Sequence, residues 1–193
     1  ALTGNAGDEF GSDTQLSADG NTMLVWNKNY DLDDGTEDAG RIDVYAWGES
    51  SSSWQAKGTP LTGVYEHTHF GDGTQLSADG NTMIVGNPYT AFDGYNGRID
   101  VYAWDEPSSE WEIKETVLNN NEIGGSIGEH FLVSDDGSTL VVGNPHYDLD
   151  DGTEDAGRID VYAWDESSSS WEAKGEPVLG NDVGDYIGFE FKL

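Results

Sequence analysis

The octapeptide GRIDVYAW occupies residues 40–47 and returns at 97–104 and 157–164. Along its first copy Ile42, Val44 and Ala46 alternate with Asp43, Tyr45 and Trp47. Successive residues of a strand point to opposite faces, so both faces of this strand carry large apolar bodies. A sheet covered on both sides satisfies that pattern, as a propeller blade is covered by its neighbours. A sandwich with one aromatic face exposed is the competing arrangement.

Working outward, the segment QLSADGNTM at 15–23 recurs at 75–83 and, as LVSDDGSTL, at 132–140. Trp54 recurs as Trp111 and Trp171. Self-similarity at a fixed period marks a repeat architecture. Each repeat reads as four strands. The first ends in an Asp-Gly hairpin signal. The second is TMLVW (TMIVG and TLVVG later), the third RIDVYAW, and a Ser-rich turn leads to the fourth, WQAKG, WEIKE or WEAKG. The expected fold is all-β: propeller-like blades in three four-stranded repeats of about 60 residues, plus one extra C-terminal strand. The chain divides as one repeat domain, 1–193, with repeats at about 10–60, 70–118 and 127–178 and the extra strand at 187–193.

Composition limits the function. The chain has 193 residues with 8 basic against 38 acidic side chains, a formal net charge of −30. Such a surface repels nucleic acid and anionic membranes and gathers cations. Cysteine is absent, which removes disulfides and thiolate metal sites. No apolar run approaches the ~18 residues of a membrane span, so membrane insertion is not expected. Glycine turns with aromatic strands (26 Gly, 7 Trp, 9 Tyr) read as β structure and not as disorder.

HFGDGTQLSADGNTMIVGNP at 69–88, then GRIDVYAW, then SSEWEIK, resembles the integrin-α-like FG-GAP repeats, closest to the tandem type of microbial and algal secreted proteins. Phe10-Gly11 and Phe70-Gly71 match the FG element, and Ile127-Gly128 stands there in the third copy. Gly86-Asn87-Pro88 and Gly143-Asn144-Pro145 stand where the family has Gly-Ala-Pro, while the first copy has Trp26-Asn27-Lys28. The resemblance implies β-propeller blades, an extracellular or cell-surface location, and adhesion or scaffolding more often than catalysis. The family's calcium loop lies between the first two strands. Here that place holds only ADGNT, ADGNT and DDGST, so the family's site does not carry over.

A cation site is sought instead in the next loop. YDLDDGTEDA precedes the third strand at 30–39 and 147–156, and the middle repeat has lost it, keeping Asp93. Ca²⁺ takes six to eight hard oxygens around a glycine turn. Asp31, Asp33, Asp34 and Asp38, and Asp148, Asp150, Asp151 and Asp155, are the candidate Ca²⁺ ligands, with Gly35 and Gly152 as the turns. The competing reading is a solvated loop neutralised by Arg41 or Arg158. Asp19, Asp79 and Asp136 read as turn residues. His67 and His69 form an H-x-H pair that transition metals favour, although neither recurs. Trp26 fills either a subunit contact or its own blade. Ser50–Ser53 and Ser167–Ser170 are plausible carriers of O-linked sugar.

For catalysis the inventory is poor: no G-x-S-x-G, phosphate loop or zinc motif appears, and no carboxylate pair stands out. Three blades are also too few to close a propeller, which takes about four to eight. The terminal YIGFEFKL at 186–193 aligns with the approach to each first strand, and Ile187, Phe189, Phe191 and Leu193 are its assembly candidates. A longer array, a two-chain six-bladed ring, a threefold barrel and β-strand addition to a neighbour all remain open. The reading favoured by these features is a non-enzymatic extracellular structural or adhesive protein, self-associating as a filament or lattice through its open strand edge. The alternative is a cation-dependent propeller that binds glycans or surface proteins.

Overall fold

A computed structural model describes residues 10–88, 97–119 and 127–190. Among them every regular element is a strand, in three antiparallel meanders. The first blade orders β1 (Asp13–Leu16), β2 (Thr22–Asn27), β3 (Arg41–Gly48) and β4 (Ser53–Ala56), with β5 (Leu61–Thr62) pairing the start of β3. The second holds β6 (Gly73–Leu76), β7 (Thr82–Asn87), β8 (Arg98–Asp105) and β9 (Glu110–Asn119). The third holds β10 (His130–Val133), β11 (Thr139–Asn144), β12 (Arg158–Asp165) and β13 (Ser170–Ala173), with β14 (Val178–Leu179) beside β12. The outer strand is split in blades one and three. In blade two β9 runs the full edge, with irregularities opposite Ile99/Asp100 and Val101/Tyr102.

The Ser-x-Asp-Gly turn is a closed hydrogen-bonded unit. The Ser17 hydroxyl donates to Asp19 at 2.6 Å and accepts from the Thr22 amide at 2.9 Å, and Asp19 also accepts from the Asn21 amide. Gly20 supplies the left-handed corner at φ +73°. Ser77–Asp79 and Ser134–Asp136 repeat the pair at 2.6 Å. The hairpin register sets the alternation, so a strand residue's parity decides which neighbouring blade it meets.

That alternation builds the core between the blades. Met83 and Val85 face blade one, packing with Leu24, Trp26, Ile42, Val44, Leu76 and Tyr102. Ile84 faces blade three with Ile99, Val101, Ile127, Phe131, Leu140 and Val142. Both faces of the middle sheet are therefore buried, which excludes the sandwich. Each fully buried Ile or Leu contributes about 1.5–3 kcal/mol relative to exposure. Across each β3–β4-type hairpin two tryptophans sit directly opposite and meet edge to face: Trp47–Trp54, Trp104–Trp111 and Trp164–Trp171, with centroids at 5.6, 5.6 and 5.8 Å.

The first strands of successive blades approach one another, β1 beside β6 and β6 beside β10. They line the inner side of the arc. Side-chain amides clamp them together. Gln15 accepts from the Leu76 amide at 2.7 Å, and Gln75 accepts from Val133 N at 2.9 Å and donates to Phe131 O at 3.0 Å. In the third blade this position is Leu132.

Candidate functional site

The acidic loops hold the approach to the next blade. In blade one the carbonyls of Glu37, Asp38 and Ala39 accept from the amides of His67, His69 and Phe70 at 2.9, 3.2 and 2.9 Å. In blade three Glu154, Asp155 and Ala156 accept from Gly184, Tyr186 and Ile187 at 3.2, 3.1 and 3.2 Å. Phe70 then enters the core, and Gly71 turns at φ +87° where a Cβ would stand 2.8 Å from Ile42. Ile187 forms a parallel bridge with Gly157 in its own blade. Gly188 lies against Gly143 and Asn144, and Phe189 is exposed beside the His130 ring. Phe191 and Leu193 lie outside the described residues.

The loop carboxylates serve the loops. Asp31 accepts from Asp38 N at 2.8 Å, and Asp148 from Asp155 N at 2.8 Å. Asp34 and Asp151 each accept from the threonine two residues on, whose hydroxyl and amide hold their pKa below the usual aspartate value. Asp38 meets His67 Nδ1 at 2.9 Å, and Asp155 meets His146 Nδ1 at 2.9 Å and the Tyr186 hydroxyl at 3.3 Å. Asp33 and Asp150 are exposed. Among the described residues no group of three His, Asp or Glu side chains converges to hold an ion. His69 Nδ1 faces Lys28 O at 3.3 Å, apart from the Asp38 partner of His67. The middle loop with Asp93 lies outside the described residues.

Each recurrent arginine binds the aspartate two residues on in its own strand. Arg41–Asp43, Arg98–Asp100 and Arg158–Asp160 close at 2.6, 2.6 and 2.7 Å. Hydrogen bonding to Asp43 raises the pKa of Arg41 further above its usual value. Asp100 has no exposed surface and also accepts from Thr116 Oγ1 at 2.7 Å and Asn87 Nδ2 at 3.2 Å. Trp26 is buried between blades one and two, its indole donating to Phe70 O at 2.8 Å.

A cleft of about 380 Å³ opens on the inner side of the arc, between the beginnings of β1 and β6. Asp13, Gln15, Asp72 and Gln75 surround a floor of Leu24 and Trp26, with Leu132 beyond. Thr14 and Thr74 add hydroxyls. Its lining carries two carboxylates and no cation. Such a site suits a neutral, hydroxyl-rich molecule: carboxylates and amides accept from hydroxyls, and the apolar floor meets C–H surface. These residues were not singled out by sequence reasoning because Asp13, Gly73 and His130 occupy one repeat position and share no chemistry.

No family model matches the chain, and no curated protein does. Among solved structures, a protein assigned as a 6-phosphogluconolactonase of Bacteroides fragilis is similar at 12% identity and a TM-score of 0.56, covering 95% of this chain and 42% of that one. A second, from Bacteroides uniformis, is similar at 13% identity and a TM-score of 0.51, covering 88% and 40%. A periplasmic gluconolactonase of Pseudomonas aeruginosa follows at 17% identity and 0.48, covering 84% and 44%. The chain thus spans about two fifths of the length of the first two structures. The fold is a propeller-type all-β array, as the repeat pattern predicts.

One expectation is corrected. The reading as a non-enzymatic adhesive or structural protein, fibrous through its strand edge, or as a cation-dependent binding module, took the propeller resemblance as an argument against catalysis. The similar solved structures are assigned as lactonases, so the fold gives no such argument. The described part of the terminal segment also folds back onto its own blade.

Proposed function

We propose that this three-blade arc belongs to a propeller enzyme that hydrolyses a neutral sugar lactone, with the chemistry in the inner cleft. The observation that carries the reading is that Asp13 and Asp72 line one cleft with Leu24 and Trp26. The likeness to assigned lactonases supplies the reaction class. One carboxylate takes a proton from water as its oxygen attacks the lactone carbonyl. The tetrahedral intermediate collapses with cleavage of the ring C–O bond, and the same proton returns to the departing ring oxygen. The product is the open hydroxy acid. General-base help of this kind contributes about 10²–10⁴-fold.

Charge decides between substrates. A phosphate ester adds about −1.5 to −2 charges at neutral pH, and it would meet two carboxylates on a chain of net charge −30. The unphosphorylated lactone is therefore favoured. The FG-GAP kinship and an extracellular or cell-surface location belong to the same proposal. Their support is the recurrent Phe-Gly or Ile-Gly lead-in, where the apolar residue plugs the inter-blade core and glycine makes the close turn.

The test is pH-stat hydrolysis of gluconolactone and its 6-phosphate, corrected for the spontaneous rate, with saturable binding of gluconate by NMR alongside. Turnover or binding should favour the unphosphorylated compound, and Asp13→Asn and Asp72→Asn should each reduce it. Absence of both turnover and binding overturns the proposal.

A further inference from the structure

Lys57 is a plug between blades one and two. Its ammonium donates to Gly80 O at 2.7 Å and Asn81 Oδ1 at 2.9 Å, and lies 5.2 and 5.3 Å from the ring centroids of Trp104 and Trp111. Gly58 follows at φ +84°, so close to this Trp pair that a Cβ would stand 3.0 Å from Trp104. Next, Thr59 donates from amide and hydroxyl to Glu110 at 2.7 and 2.8 Å. Cation–π contact and carbonyl acceptors together make a specific ammonium seat.

The parts of that seat recur on the open face of blade one, unfilled by any of the described residues. Gly20 and Asn21 occupy the same turn positions, and Trp47–Trp54 repeat the edge-to-face pair at 5.6 Å. The parts of the plug recur on the open face of blade three. Lys174 follows Trp171 as Lys57 follows Trp54, and its amide donates to Val161 O at 2.7 Å as that of Lys57 donates to Val44 O at 2.8 Å. Gly175 has φ +88° and nothing within 4 Å of its Cβ position. Lys174 and Gly175 are both exposed. The Thr59–Glu110 pairing returns with its sides exchanged, as Ser53 on blade one and Glu176 on blade three.

The apolar surfaces match as well. Blade three's Val141, Ile159 and Val161 are half-buried, whereas their blade-two counterparts Ile84, Ile99 and Val101 are buried beneath a neighbour. On blade one Leu16 is 55% exposed, whereas Leu76 at the same position in blade two is 7% exposed.

We propose that these two open faces are the halves of one interface, filled by a second copy of this chain. Lys174 of each copy enters the Trp47–Trp54 seat of the other, and two three-blade arcs close a six-bladed ring. Six lies within the range of blade numbers that propellers use, and a head-to-tail contact closes when its rotation completes the circle. One segment must move. The sequence GDEFG at 7–11 matches GDYIG at 184–188, which already occupies the shelf of blade three. Docking a second copy's first blade therefore displaces residues 184–188. The inference stands on blade geometry and is independent of the lactonase reading.

Sedimentation of the full chain from about 1 µM to about 1 mM, the range set by ordinary weak to moderate affinities, tests it. The mass is expected to rise from 20.9 kDa to twice that value and stop. Lys174→Gln should weaken association about tenfold or more without lowering the unfolding temperature. Lys57→Gln should lower the unfolding temperature and leave association unchanged. Ile187→Ser, which loosens the resident segment, should strengthen association. A carbodiimide cross-link between Lys174 and Asp19 of differently labelled copies would place the contact. Three results would each overturn the proposal: a monomer throughout for both wild type and Ile187→Ser, growth beyond two copies, or a dimer indifferent to Lys174→Gln. A dimer without lactone turnover or binding sinks the functional proposal alone.

Discussion

Replacing Asp100 by alanine removes the most enclosed carboxylate of the fold's repeated ion pair. Asp100 is fully buried and accepts three hydrogen bonds, from Arg98 at 2.6 Å, Thr116 at 2.7 Å and Asn87 at 3.2 Å. Its removal leaves a guanidinium, a hydroxyl and an amide facing a small void. Breaking one side of a buried pair costs about 3–5 kcal/mol. The Arg98 side chain is 41% exposed, so water recovers part of the loss and the expected cost sits near the lower end, about 3 kcal/mol. The other two copies of RIDVYAW provide internal controls. Asp43 and Asp160 pair with their arginines in the same way, but their side chains retain 7% and 11% exposure. Urea unfolding followed by tryptophan fluorescence should rank Asp100→Ala as most costly and Asp160→Ala as least. A loss below about 1 kcal/mol, or one no larger than that of Asp160→Ala, would refute the argument that enclosure sets the cost.

Three further outcomes follow from the same geometry. Gln75→Leu, which copies Leu132 of the third blade, should cost about 1–3 kcal/mol in urea unfolding by leaving Val133 N and Phe131 O unpaired. Gly86→Ala drives a Cβ into the Gly128 carbonyl, so it should separate blades two and three and raise amide exchange in β10. The Ser134 hydroxyl and the Ser138 amide hold Asp136 down at about 2. A depressed folded pKa contributes stability that is present above the unfolded value of 3.8 and lost as pH falls toward about 2. Ser134→Ala should return the NMR-titrated pKa of Asp136 toward its ordinary value, and an unchanged midpoint would sink that account.

The blades were legible because their determinants are local and repeated. In RIDVYAW the strand period is 2 with apolar bodies on both faces, and Ser-x-Asp-Gly encodes a complete turn. The acidic loops were harder to read. Carboxylates draw the eye toward calcium, yet the chemistry these loops perform on the chain comes from the carbonyls of Glu37–Ala39 and Glu154–Ala156, which any residue would supply. Trp26 was ambiguous for a related reason: its partner is the carbonyl of Phe70, 44 residues on. The inner cleft was invisible because Asp13 and Asp72 occupy non-equivalent repeat positions and line one cleft only when β1 and β6 lie side by side. The Gln15 and Gln75 clamps carried a signal in their recurrence, and the change to Leu132 marked where that recurrence ends.

The shelf formed by each acidic loop means that a blade's entry is held by the blade before it. Each sequence repeat stands as one sheet, but its lead-in residues are fastened to the loop of the sheet before it. Copying about 60 residues therefore copies half of an inter-blade contact at each end. Blade count then becomes something a genome can vary by slippage without designing a new contact.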